Sequence, residues 1–353
     1  MVFRSSVRIG PHTVDRDHRP FVVAEMSGNH NGDLDRALAI VDAIAATGAQ
    51  ALKMQTYTPD TLTIDADTPP FRVTEGHALW GGRNLYQLYA EAHTPWDWHE
   101  VIFERAREHG LLPFSTPFDP SAVELLEKLG VEVYKTASAE IVDLPLVREV
   151  ARTGKPIIMS TGMATLSEID AAVSAARDSG CTELILLACT ASYPARAADA
   201  RLANIRLLRE AFGVPVGLSD HTPGLGVPVA AVALGAVCLE KHVTLSRDDG
   251  GVDSAFSLNP DELELLVEEV EQAWQATIGP PELGPTPDER EVLRLRRSLY
   301  VVEDVRAGDI VTEQNVRSIR PAGGLSPDAM TTVLGRTFAH DVGRGTPLTW
   351  DLI

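Results

Sequence analysis

Cysteine is scarce in this chain: three residues in 353, Cys181, Cys189 and Cys238, widely spaced and without a CxxC pair. That excludes a disulfide framework and a cysteine zinc site, and each thiol is expected to be buried. Basic residues are few as well. With 31 Lys and Arg against 50 Asp and Glu, the net charge is −19, the opposite of the basic face that a nucleic-acid partner requires. No apolar run approaches the ~20 residues of a membrane span, so a membrane is not an expected partner either. The first twenty residues, MVFRSSVRIGPHTVDRDHRP, lack the apolar stretch and small-residue cleavage site of a secretory signal, which points to a cytoplasmic protein. A GxGxxG phosphate loop is also missing after every candidate strand.

What is present is a regular alternation. Short apolar runs occur at 21–27, 51–57, 111–117, 133–139, 156–162, 183–190, 215–220 and 238–244. Between them lie amphipathic stretches such as LDRALAIVDAIAATG, apolar at 34, 37, 38, 41, 44 and 45, with Gly48 as a stop, and DPSAVELLEKLG, with Asp119 as N-cap. Strand–helix repeats of about 20–30 residues imply parallel strands with right-handed crossovers. Eight of them, with no dinucleotide fingerprint, predict an α/β fold of the (β/α)8 TIM-barrel type over 1–278. The piece VFRSSVRIG is expected to cap the barrel bottom. GPPELGPTPDE opens a linker at 279–296, and 297–353, with β-branched runs broken by AGD, AGG, LGR and GRG, reads as a small mostly-β module.

In a barrel the C-terminal strand ends carry the active site. Period-2 alternation puts Glu25 with Ser27, Lys53 with Gln55 and Tyr57, and Glu240 with His242 on shared faces, and these are taken to point inward. Lys53 and Lys135, from different strands, suit a substrate with both carboxylate and phosphate; alone, each reads as an ordinary ion-pair partner. His221 and His242 end neighbouring strands and suit a labile divalent ion, or equally serve as two hydrogen-bonding barrel histidines. Glu140 is a candidate general acid or base, or a loop cap. His30 suits shaping of its own loop. The loop at 80–98 breaks the spacing between the second and third strands and is expected to shape a pocket.

In order along the chain, AEMSGNHNGD, KMQTYTPDTL, STPFD, YKTASAE, STGMA, LACTASYP, GLSDHTPG and EKHVT, followed by the C-terminal module, resemble the sialic acid synthase family, which joins a barrel to a SAF (antifreeze-like) domain. SGNHN, TYTPDTLT and LYAEAHTPWDWH are most similar to its pseudaminate-forming branch. The resemblance implies condensation of phosphoenolpyruvate with an amino-sugar aldehyde, for that branch 2,4-diacetamido-2,4,6-trideoxy-L-altrose, releasing phosphate. It implies that Lys53, Lys135, Thr116, Ser138 and Ser160 hold carboxylate and phosphate. His221 and His242 would bind a divalent metal, Mn²⁺ with Mg²⁺ or Co²⁺ as alternatives. Glu140 would transfer protons, Glu25 and Gln55 would position substrate and water, and Glu240 would orient the metal ligands or bind a sugar hydroxyl. Tyr193 and Asp253 would meet the sugar. Arg320 would reach from the SAF domain into the barrel of a partner chain, as in a domain-swapped homodimer. One departure concerns the sugar: family members commonly carry an Asn-containing CTNxYP, whereas this chain has Ala191 in CTASYP, which fits a different substituent. N-acetylneuraminate or legionaminate synthesis, a Schiff-base aldolase working through either lysine, and a non-catalytic sugar-binding protein are the alternatives.

Overall fold

The computed structural model describes residues 2–75 and 79–353. The chain divides into two compact units, Met1–Ile278 and Gly279–Ile353. The first opens with a hairpin, β1 (Val7–Ile9) and β2 (His12–Val14). Eight parallel strands follow: β3 (Phe21–Glu25), β4 (Ala51–Thr56), β5 (Leu112–Pro117), β6 (Tyr134–Thr136), β7 (Ile157–Ser160), β8 (Leu184–Cys189), β9 (Val216–Asp220) and β10 (Cys238–His242). They close in sequence order, β10 pairing with β3. Each coincides with one of the eight apolar runs, trimmed at its ends.

Alternation along the strands separates two cores. Outward residues, among them Val22, Leu52, Met159, Leu186 and Leu239, pack under the helices. Inward residues at the strand starts, including Phe21, Val23, Ala51, Phe114, Val133, Ile158 and Ile185, form a second cluster, and Val7, Ile9 and Val14 of the hairpin plug it from below. The N-terminal piece therefore caps the barrel bottom. At Gly217 a Cβ would lie 2.1 Å from the Cys238 carbonyl oxygen, so only glycine lets β9 and β10 approach there.

Local sequence explains the helices. Leu34–Ala45 buries Ala37, Ile40, Val41 and Ile44, and the Asp33 side chain accepts from the Asp35 and Arg36 amides; Ile40, outside the expected stripe, joins the buried face. Asp119 caps Pro120–Lys128 as its position suggests. The stretch at 80–98, expected as a loop, instead contains a helix, Leu85–Ala92, started by Asn84, which accepts from the Tyr86 and Gln87 amides. Its helical period is only two turns long, too short to stand out against the flanking Gly and Pro.

In the second unit β11 (Ser298–Val301) pairs antiparallel with β12 (Val316–Ile319) over a core that includes Leu299, Val305, Val311, Phe338 and Leu348. The segment at 279–296 is not wholly irregular: Glu289–Val292 is a helical turn, and the Arg294 carbonyl accepts from the Ala322 amide.

Candidate active site

Moving up the inner face of the barrel, the side chains change from apolar to charged. Val23 is followed by Glu25, Ala51 by Lys53 and Gln55, Val133 by Lys135, and Cys238 by Glu240 and His242. Register brings them together: Glu25 stands beside Lys53, Gln55 beside Thr116, and Glu240 beside Ser219. Lys53 Nζ lies 2.5 Å from Glu25 Oε2 and 3.5 Å from Glu240 Oε1, and it also donates to Thr116 Oγ1 at 3.4 Å. Lys135 Nζ donates to Ser160 Oγ at 2.7 Å and to the Thr136 carbonyl at 3.1 Å, and lies 3.8 Å from Glu240 Oε2. Glu240 thus bridges the two lysines.

These four charges are buried, and burial decides how they titrate. It pushes the Glu25 carboxyl up to about 7 against the pull of Lys53. It also works to lower Lys53, but Glu240 and Glu25 outweigh it and hold the ammonium above its ordinary value. For Lys135 burial wins over Glu240, and the amine falls below its ordinary value. Burial would raise Glu240, yet Lys135 and Lys53 together keep it ionised below the usual carboxylate range.

Above the cluster opens a cavity of about 460 Å³. Ser27, Gln55, Ser138, Glu140, His242 and Asp253 supply polar groups to its wall. Gln55 Nε2 donates to Ser27 Oγ at 3.2 Å, and Ser27 donates onward to Asp253. Glu140 opens a short 3-10 turn after β6; its Oε2 is buried without a hydrogen-bond partner, and burial raises the carboxyl. The segment between β4 and β5 builds the apolar side of the cavity with Leu62, Val73, Trp80, Leu85, Leu88 and Tyr89. The Trp80 indole donates to the Val252 carbonyl at 2.9 Å, and its ring centroid lies 5.7 Å from that of Tyr193.

His221 and His242 face each other with ring centroids 5.3 Å apart, beside Tyr193 and Phe256. His221 Nδ1 lies 3.0 Å from the Thr190 carbonyl, which can only accept; Nδ1 therefore carries the proton, and the ring is turned with Nε2 away from that bond. His242 Nδ1 is buried without a hydrogen-bond partner, 3.8 Å from Asp253 Oδ2, and burial keeps the ring neutral well below the usual imidazole range. No group of three or more His, Cys, Asp or Glu among the described residues is arranged to hold a metal. Two imidazoles with positions left for water and substrate oxygen fit an open, labile divalent site and not a closed structural one.

Cys189 was expected to be buried; it is half-buried, ending β8 on the inner face beside His221 and Ser138. Burial alone would raise the thiol; the His221 contact draws it below its ordinary range. The signal was available, since Ile185 and Leu187 point inward and period 2 continues to Cys189. His30 is a loop residue: Nδ1 accepts from the Gly32 amide and Nε2 meets Thr94 Oγ1 at 3.1 Å. Arg320 belongs to the second unit, exposed directly after β12.

Residues 40–280 match the model of the NeuB family, and residues 296–353 match the SAF domain. The chain is 42% identical to the pseudaminic acid synthase of Helicobacter pylori, over 94% of this chain and 97% of that protein. It is 41% identical to the one from Campylobacter jejuni subsp. jejuni serotype O:23/36, over 94% and 96%. An N,N'-diacetyllegionaminic acid synthase of Campylobacter jejuni is 32% identical over 90% of this chain and 95% of that protein. Among solved structures, an N-acetylneuraminic acid synthetase of Leptospira borgpetersenii in complex with citrate superposes with a TM-score of 0.73, at 32% identity, over 83% of this chain and 96% of that one. With the barrel, the lysine–glutamate cluster and these matches in agreement, the chain belongs to the NeuB family.

Proposed function

We propose that this chain condenses phosphoenolpyruvate with 2,4-diacetamido-2,4,6-trideoxy-L-altrose and water, giving pseudaminic acid and phosphate. The observation that carries the reading is the pair of buried lysines, Lys53 and Lys135, on the inner face of the barrel, in a chain 42% identical over 94% of its length to a pseudaminic acid synthase. Two ammonium groups on different strands match a small dianion or trianion far better than a neutral sugar.

Lys53 and Lys135 receive the carboxylate and phosphate, with Thr116, Ser138 and Ser160 adding hydroxyl donors. The terminal CH2 carbon of phosphoenolpyruvate bonds to the aldehyde carbon, whose oxygen takes up a proton, leaving cationic character at the enol carbon that bears the phosphate; water adds there and loses a proton, and phosphate departs with C–O cleavage. Gln55 and Glu25 position substrate and water, and Glu140, free of protein hydrogen bonds at Oε2, moves the proton. Tyr193 and Asp253 line the sugar side. His221 and His242 would hold a divalent cation, Mn²⁺ first with Mg²⁺ or Co²⁺ as alternatives, which when bound polarises the aldehyde carbonyl as a Lewis acid. Lys53, held protonated by two carboxylates, is poorly suited to form a Schiff base. The reading extends to a cytoplasmic, domain-swapped homodimer in which Arg320 comes from a second copy.

The test is phosphate release from phosphoenolpyruvate by chelator-treated protein, with and without restored Mn²⁺, across the altrose-type sugar, N-acetylmannosamine and the legionaminate-type sugar. Metal-dependent release with the altrose-type sugar alone is expected. Release only with another sugar overturns the substrate, and no release with any overturns the reaction.

A further inference from the structure

Strand residues that point out of a barrel normally meet the helices with apolar side chains, and β9 and β10 begin that way with Val216, Leu218 and Leu239, in one cluster with Ala231, Val232, Leu263 and Leu266. The next outward residues break the pattern. Asp220 and Lys241 are 4% and 1% exposed, adjacent in the β9–β10 register, with Lys241 Nζ 2.5 Å from Asp220 Oδ2. The ammonium also donates to the Thr222 carbonyl, while Asp220 accepts from the Thr222 amide at 3.0 Å and its hydroxyl at 3.1 Å.

A buried ion pair at such a place at best breaks even against two apolar side chains, so stability gives no reason for it. Geometry does. Directional bonds tie β9, the turn after it and β10 into one arrangement, whereas apolar side chains there would tolerate sliding. His221 lies inside the bracket that Asp220 and Thr222 close, and His242 directly follows Lys241.

We propose that the Asp220–Lys241 pair is a positioning device: from the helix side of the sheet it fastens the two strand ends that present His221 and His242 to the barrel mouth, and so sets the spacing of the two imidazoles for a divalent cation. The inference rests on the metal reading above. Neither residue lines the cavity, so each is a positioning residue.

The experiment compares Mn²⁺ affinity, read from free-ion electron paramagnetic resonance, in the wild type and in Asp220→Asn/Lys241→Met. The amide left at 220 keeps an oxygen to accept from the Thr222 amide and an NH2 to donate to the Thr222 hydroxyl, and methionine follows the lysine stem, so no buried charge is orphaned. The Tm of the chelated protein is expected to stay near wild type, Mn²⁺ affinity to fall about 10- to 100-fold, and the KM for phosphoenolpyruvate to hold. Wild-type Mn²⁺ affinity in the double variant, with or without a lower Tm, shows a purely structural pair and overturns the proposal. If the double variant does not fold, Asp220→Asn alone is used, and an unchanged affinity there overturns it equally. Wild-type protein that binds no Mn²⁺ overturns the metal reading first, and this inference with it.

Discussion

Glu25 and Lys53 stand opposite each other on neighbouring barrel strands, carboxylate and ammonium 2.5 Å apart, with both side chains almost wholly buried. The same lysine that this carboxylate neutralises is the one assigned to the substrate anion. An ionised Glu25 and an incoming anion therefore compete for one ammonium, and the competition depends on pH.

Burial lifts the Glu25 carboxyl from its ordinary 4.5 to about 7. Below that range it is protonated and leaves Lys53 to the ligand; above it, the carboxylate competes. The KM for phosphoenolpyruvate is expected to rise as pH increases through about 7 in the wild type and to stay flat in Glu25→Gln. Stability follows the same sign. The folded value is the higher one, so the contribution is complete below about 4.5 and lost as pH rises to about 7. Tm measured from pH 5 to 8 is expected to carry this downward slope in the wild type and to lose it in the variant.

Lys135 donates to Ser160 and shares Glu240 with Lys53. Lys135→Met removes a charge-assisted bond to a bound anion, worth about 1.5–3 kcal/mol, so kcat/KM for phosphoenolpyruvate is expected to fall about 10- to 150-fold. Steady-state phosphate release checks it; an unchanged KM and kcat would assign Lys135 to structure alone.

Leu85, half-buried at the start of its helix, lies on the apolar side of the cavity. A 6-deoxy sugar with two acetamido groups offers methyls to such a wall. Leu85→Asn is expected to raise the KM for the trideoxy sugar about tenfold, in the range that one apolar contact controls, and to leave the KM for phosphoenolpyruvate unchanged. Equal effects on both substrates would mean that the helix has shifted as a whole.

Gly217 has no room for a methyl group against the Cys238 carbonyl. Gly217→Ala must push β9 from β10, and a loss of about 3 kcal/mol is expected from overpacking of this kind. Urea denaturation of the metal-free protein measures it.

Much of this was legible because it is periodic. Eight apolar runs at regular spacing define eight strands, and a period of two assigns Glu25, Lys53, Gln55, Glu240 and His242 to one face before any coordinates exist. The same rule applied to β8 would have placed Cys189 on the inner face, at the site. The helix Leu85–Ala92 escaped because eight residues amid Gly and Pro carry too little period to register.

By itself, then, the sequence determined the barrel and the face each strand residue takes, since these follow from alternation and local turn chemistry. Only the tertiary structure decided who meets whom. Strand register and barrel closure make Glu240 the bridge between Lys53 and Lys135, bring Asp253 to Ser27 across the mouth, and seat Asp220 against Lys241 behind the histidines. Such pairings join residues up to 226 positions apart, and no local pattern along the chain encodes them.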